Sequence, residues 1–279
     1  MTHDDRTAQL IRLVRRRTPP ALRSRVRSSL VALCQTLDLA VPPAAAPASP
    51  VAVEPVVADP PPAAPPDPSQ HGEVAALREL LKEGFPPYLV DVGAFDGEAL
   101  SNSRPFVLEG WRAVLIEPHP VQFSRLRRLY EDEPAVRCVN KACSDATGTL
   151  PLYLGSDGDD TMMSTLCTDD NPWFRANRSD TAVEVAVDTL TNVLDAASCP
   201  EDFSILLVDA EGMDYEVLRG LDLERYRPRI VVTEEYISNP GKHNAKYRLL
   251  LDRGYTFYRM VGCNTVWIRN EWVGTCLGL

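Results

Sequence analysis

The sequence has no CxxC pair, no glycine triplet of the GxGxxG kind and only four histidines in 279 residues. Its seven cysteines, at 34, 138, 143, 167, 199, 263 and 276, are odd in number and have no histidine at ligand spacing. That pattern argues against a structural zinc site and against a secreted disulfide framework; reduced thiols in the cytoplasm fit better. No apolar run approaches the ~20 residues that span a bilayer, so no transmembrane helix is expected. The N-terminus has no compact apolar segment before a small-residue cleavage site, so no signal peptide is expected either. Basic charge is also short. The chain carries 29 Lys and Arg against 39 Asp and Glu, a net charge of −10. Nucleic-acid binding needs a basic face to meet phosphates, which argues against that class of partner.

What is present is unevenly placed. Residues 1–41 hold eight arginines against Asp4, Asp5 and Asp38, a net of +5. Within them, residues 8–40 form a basic, partly amphipathic helical pattern divided by Pro19 and Pro20, with Leu22, Val26, Leu30, Leu33 and Leu37 near one face. Such a segment either packs on its own domain or docks on an anionic membrane or a protein partner. Residues 42–72 carry no Lys or Arg, and eleven of the 24 prolines fall between 42 and 68. This composition builds no core and reads as an extended, disordered linker. From residue 73 to 279 the composition is that of a globular domain.

In that domain strand and helix signals alternate. Apolar runs at YLVDV (88–92), RAVLIEP (112–118), AVRCVN (135–140), ILLVDAEG (205–212) and RIVVTEE (229–235) read as buried strands. GEVAALRELLKEG, PVQFSRLRRLY, MDYEVLRGL and KYRLLLDRG read as helices between them. TLPLYL and VEVAVDTL read as strands around a long polar loop at 155–173, of the length that often covers a ligand. YTFYRM and NTVWIRN close the chain as an antiparallel pair. The expectation is an α/β fold with a mostly parallel, helix-flanked sheet.

In such sheets ligands bind beyond the carboxyl ends of the strands. The first strand ends Asp91-Val-Gly93-Ala94-Phe-Asp96-Gly97. Two glycines let the backbone turn and approach a ligand. Without a glycine triplet, and with Asp91 repelling phosphate, a nicotinamide dinucleotide is disfavoured. An acidic loop suits a cationic ligand without phosphate, and S-adenosylmethionine, with its sulfonium and ammonium, is one. Glu117 ends the second strand, where a carboxylate accepts from ribose hydroxyls by the logic of dinucleotide folds.

DVGAFDGEALSNS, GWRAVLIEPHPVQFSRL, ILLVDAEGMDYEVLRGLDLERYRPRIVVTEE and GYTFYRMVGCNTVWIRN, in this order over roughly residues 75–270, resemble the FkbM-type S-adenosylmethionine-dependent methyltransferases. The resemblance implies a class I methyltransferase (Rossmann-like) fold, a seven-stranded and mostly parallel sheet with a C-terminal antiparallel hairpin. It implies O-methylation of a sugar, glycoconjugate or other small hydroxylated metabolite. By the same resemblance Asp91, Gly93, Ala94 and Gly97 wrap the methionine part of the cofactor, Glu117 takes the ribose, and Asp145 lies near the adenine. Ser101, Asn102 and Ser103 match the SNS of one branch of the family and either cap the next helix or line the cofactor site. Ser164 and Thr165 match small hydroxyl residues of the family.

A second acidic cluster, Asp209, Glu211, Gly212 and Asp214, matches the family's D-x-E-G block. A carboxylate within reach of an acceptor hydroxyl removes its proton, so Asp209 and Glu211 are the candidate bases. Such a pair also suits a hard divalent cation, and both roles stay open. Glu234 and Glu235, ending RIVVTEE, complete either arrangement, with Glu234 grouped with the catalytic set. Asp214 reads as helix N-terminal charge. His119 is placed near the adenosine or in solvent, and His243 on a loop over the rim. The competing function is a silent methyltransferase-fold adaptor that uses its basic N-terminal segment for a partner or membrane surface.

Overall fold

The computed structural model describes residues 68–156, 162–168, 177–235 and 240–279. The basic segment expected at 1–41 and the linker up to residue 67 lie outside the described residues. The last residues assigned to the linker, 68–72, are described and pack on the domain.

Helix α1 (Glu73–Leu80) opens the fold and buries Val74, Leu77 and Leu80, a helical spacing that puts all three on one face. It stops at Leu81, which is extended, before the Gly84 expected to end it. Strand β1 (Tyr88–Val92) is buried at every residue, as a strand covered on both faces must be. A short helix α2 (Arg104–Leu108), β2 (Arg112–Ile116) and α3 (Pro120–Leu129) follow. Pro120 suits the first turn of α3, where its missing N–H costs nothing, and His119 Nδ1 accepts from Val121 N at 3.2 Å to cap it. Then come β3 (Val136–Val139), β4 (Ala142–Ser144), β5 (Gly148–Gly155) and β6 (Arg178–Thr189). Thr189 caps α4 (Leu190–Ala196) by accepting from Asn192 N. The chain continues through β7 (Ile205–Val208), α5 (Asp214–Arg219), β8 (Ile230–Glu234) and α6 (Pro240–Asp252). It ends with β9 (Tyr255–Val261), β10 (Asn264–Arg269) and α7 (Val273–Leu277).

Seven strands form one sheet in the order β3-β2-β1-β7-β8-β10-β9. Every pairing from β3 to β8 is parallel, and β10 runs antiparallel to both β8 and β9. The order reverses between β1 and β7, the switch point at which open α/β sheets place ligands. The strands of the polar-loop region form a separate sheet, β4-β6-β5, in which Pro151 sits on the edge strand β5 where its missing N–H breaks no inner ladder. Tyr226, Phe203, Tyr247, Phe257 and Trp267 are fully buried and fill the core of the large sheet.

Candidate active site

The register brings four strand ends to one level. Val92 is paired with Ile116 and with Val208, and Val208 with Thr233. The next residues on these strands are Gly93, Glu117, Asp209 and Glu234, so four adjacent parallel strands present them side by side. Each is an apolar run ended by an acid or by the turn just after one. A cavity of about 360 Å³ opens over this rim. It is lined by Asp91, Gly93, Ala94 and Glu117 on one side, and by Asp209, Glu211, Glu234 and Asn264 on the other.

Backbone geometry at the rim is tight. Gly93 has φ +90°, and a Cβ there would lie 1.9 Å from the Asp209 carbonyl oxygen. Gly93 N and Ala94 N both donate to Ile116 O, at 2.9 and 3.0 Å, which pulls the loop across β2. Phe95, Leu100 and Glu211 are non-glycine residues at φ +52°, +51° and +47°, and all three line the cavity. Left-handed backbone at ordinary residues gathers where a site over-determines it.

On the β1–β2 side, Glu117 is anchored at both oxygens: Oε2 accepts from Phe95 N at 2.9 Å and Oε1 from His119 N at 2.7 Å. Burial pushes its pKa up to about 7 despite those donors. Burial raises Asp91 to about 6, against a hydrogen bond from Ser103 that favours its charge. Ser101 Oγ accepts from Arg104 N at 3.0 Å, so Ser101, two residues before the N-cap Ser103, satisfies the first N–H of α2 while also lining the cavity. Among the described residues, the cavity-lining polar atoms buried without a hydrogen-bond partner include Asn102 Oδ1, Ser164 Oγ and Glu234 Oε2. Buried polar atoms are almost always satisfied, so atoms of this kind in a cavity wall are free to bond a ligand or water. Lys141 lines the cavity but its ammonium lies 2.6 Å from the Asp188 carboxylate. The described part of the polar loop crosses above: Met162, Met163, Ser164 and Leu166 line the cavity, and Thr165 ties it down by donating to Glu211 O at 2.6 Å.

On the β7–β8 side, Asp209 is open to the cavity yet surrounded at depth by protein. That desolvation raises its pKa, against a backbone bond from Glu211 and a carboxyl hydrogen bond with Glu234. Glu211 and Glu234 are both pushed well above the usual range, by burial first and then by Asp209. Asp209 and Glu234 therefore titrate as a pair rather than as independent carboxyl groups. Asp214 is buried and braces the ends of β7 and β8: it accepts from Ala210 N at 3.4 Å and from Glu234 N at 3.0 Å. Its pKa rises to about 7 through burial. Its place in the first turn of α5 is the one expected, and the bracing is additional.

Four expected positions differ. Gly97 does not line the cavity. At φ +81°, a Cβ there would meet Leu126 Cδ1 at 2.6 Å and Tyr130 Cε2 at 2.9 Å, so its lack of a side chain serves the packing of α3. Asp145 points away as well and pairs with Arg219 at 2.9 Å. Glu235 turns from Glu234 into the interior, as the pleat dictates. There it meets His243 Nδ1 at 2.5 Å, Lys246 Nζ at 3.2 Å and Thr265 Oγ1 at 2.9 Å. Burial opposes its charge, but Lys246 and His243 hold it down at about 2. His243 lies on α6, buried against Glu235, and not over the rim. Gln70, Met213, Cys263 and Asn264 line the cavity without having been expected. Asn264 was within reach of pattern alone, because an antiparallel strand starts at the rim where its parallel neighbours end.

Among solved structures, an FkbM methyltransferase from Methylobacillus flagellatus KT shares 16% identity at TM-score 0.39, over 65% of this chain and 43% of that one. The chain thus spans less than half the length of that protein. A precorrin-6y C5,15-methyltransferase from Geobacter metallireducens GS-15 shares 14% identity at TM-score 0.39, over 71% of this chain and 86% of that one. A putative caffeoyl-CoA O-methyltransferase from Staphylococcus aureus shares 10% at TM-score 0.40, over 95% and 100% of the two chains. No curated protein matches. The family model described as the methyltransferase FkbM domain matches residues 91–257, more than half of the chain and all four acidic strand ends. This chain belongs to the FkbM methyltransferase family, and its seven-stranded sheet with a C-terminal antiparallel pair is the class I methyltransferase fold.

Proposed function

We propose that this methyltransferase acts on a hydroxyl group of a sugar, glycoconjugate or other small hydroxylated metabolite. The carrying observation is the trio Asp209, Glu211 and Glu234, three carboxyl groups of raised pKa facing one cavity beside Asp91 and Glu117. A base is most effective when its pKa approaches the working pH, and this environment moves ordinary carboxylates that way.

The β1–β2 side fits the cofactor. It offers anchored carboxylates at Asp91 and Glu117, the unpartnered Asn102 Oδ1 and Ser164 Oγ, and no phosphate-binding glycine triplet. When bound, S-adenosylmethionine supplies a methyl group activated by a sulfonium. Glu117 would hold ribose hydroxyls with the lone pairs that Phe95 N and His119 N leave free, and Asp91 would face the positive end. Asp209 accepts the proton of the acceptor hydroxyl, and Glu234 donates to Asp209 to fix its orientation. Glu211, on strained backbone, positions the acceptor from the other side. The divalent cation is not carried into the proposal, because among the described residues no group of three or more His, Cys, Asp or Glu is arranged to hold one.

Cytoplasmic location is part of the proposal and is supported by the unpatterned cysteines. Among the described residues, no helix is long and apolar enough to cross a membrane. A docking role for the arginine-rich segment 8–40 rests on its charge and pattern.

The test is Asp209→Asn. Release of S-adenosylhomocysteine with an accepted hydroxyl substrate should fall about 10²–10⁴-fold, the share a positioned base contributes, with cofactor affinity within about threefold of wild type. Turnover at the wild-type rate would remove Asp209 from the role.

A further inference from the structure

The stretch just ahead of α1 lies outside the family-matched residues 91–257, yet it reaches the cavity. Gln70 is part of the lining, with Cys263 of the β9–β10 turn and Asn264 at the start of β10. Three contacts fix it there. His71 packs on Gly262 so closely that a Cβ at Gly262 would lie 2.1 Å from His71 Cγ. Val74 N donates to Ser69 Oγ at 3.3 Å. Glu73, which is fully buried, accepts from His71 N through Oε2 at 2.9 Å and from Asn264 Nδ2 through Oε1 at 2.8 Å. Burying a carboxyl group is costly unless its acceptors are used, and both oxygens of Glu73 are spent on joining this segment to β10. An acid suits the first turn of α1, but its burial and its bond to Asn264 go beyond what the helix needs.

We propose that residues 69–73 form a latch over the Glu234 side of the cavity, in which Gln70 is the wall residue that meets the methyl acceptor and Glu73 is the positioning residue that holds it. The inference rests on assigning that side to the acceptor. An amide donates and accepts at once, which suits a hydroxylated ligand and gives no cation to an anionic one. A segment that joins the proline-rich stretch to the domain thereby becomes a determinant of which acceptor enters.

Two cysteines report on the two sides separately. Cys263 lines the cavity beside the latch, and Cys143 lines it on the opposite side with Lys141 and Ala142. Full-length protein, with and without saturating S-adenosylmethionine, is treated with N-ethylmaleimide, and each cysteine is followed by peptide mass spectrometry. Glu73→Gln and Gln70→Ala should each speed modification of Cys263 about tenfold, as a local opening does. Gln70→Trp, at an exposed position that tolerates a large side chain, should slow it. Protection of Cys143 by the cofactor should be unchanged in all three. Equal Cys263 rates, within twofold, in wild type and all three variants would overturn the latch. Loss of cofactor protection at Cys143 in wild type would count against the cofactor assignment and leave the latch result standing on its own.

Discussion

Gly93 shows at the scale of one residue why the rim has its shape. With φ +90° and the Asp209 carbonyl 1.9 Å from where a Cβ would sit, no other residue fits without moving β1 from β7. Gly93→Ala should cost about 3 kcal/mol or more, combining left-handed strain with a backbone clash, and denaturant unfolding measures it. Gly97→Ala carries left-handed strain too, at φ +81°, but meets side chains of Leu126, Leu129 and Tyr130 rather than backbone, so its cost should be smaller. Charge at the rim has its own signature. Glu117 at about 7, Asp91 at about 6 and Asp214 at about 7 hold protons that the unfolded chain has released by pH 5. The folded state therefore binds more protons between pH ~4.5 and ~7, and its stability falls as pH rises through that window. Glu235, at about 2, contributes stability fully in place above pH ~4.5 and does not offset the trend within it. Melting followed from pH 5 to 8 without cofactor should show the fall, and Glu117→Gln should flatten it by on the order of 3 kcal/mol across the window. A slope unchanged in that variant would contradict the burial account of Glu117.

At the scale of the element, the strands were legible because a strand buried on both faces must be largely apolar, and β1, β2, β7 and β8 each carry an apolar run of three or four residues. Acids at their ends were legible for the same reason, since a carboxylate closes an apolar run visibly. Short elements were not. Helix α2 has five residues and β4 three, too few to carry a period. Strand β6 starts at Arg178, five residues before its apolar alternation, because hydrogen bonds from β5 and not its own side chains extend it. Glu235 and Asp145 were misplaced because sequence gives an acid's position along the chain but not which face or counter-ion it turns to. One hydroxyl makes two of the bonds that hold the strap at 162–168. Thr165 Oγ1 donates to Glu211 O at 2.6 Å and accepts from Cys167 N at 2.8 Å. Thr165→Val keeps the shape and removes both bonds. It should cost about 1–3 kcal/mol locally, seen as faster amide exchange at Tyr153 and Thr165, whose backbones pair across the strap at 2.9 Å.

At the scale of the whole molecule, a doubly wound sheet offers one switch point, and the acidic strand ends, the strained loop residues and the unpartnered polar atoms all meet there. Five of the chain's acids, Asp91, Glu117, Asp209, Glu211 and Glu234, gather at this point, a placement that suits a cationic ligand and disfavours an anionic one. The most direct measurement of this account is calorimetric titration of S-adenosylmethionine into the full-length protein and into Glu117→Ala. The account predicts wild-type binding with Kd of about 1–100 µM, in the range of ordinary enzyme affinities, weakened at least about tenfold in the variant. Equal affinity in both proteins would contradict the assignment of the β1–β2 side to the cofactor.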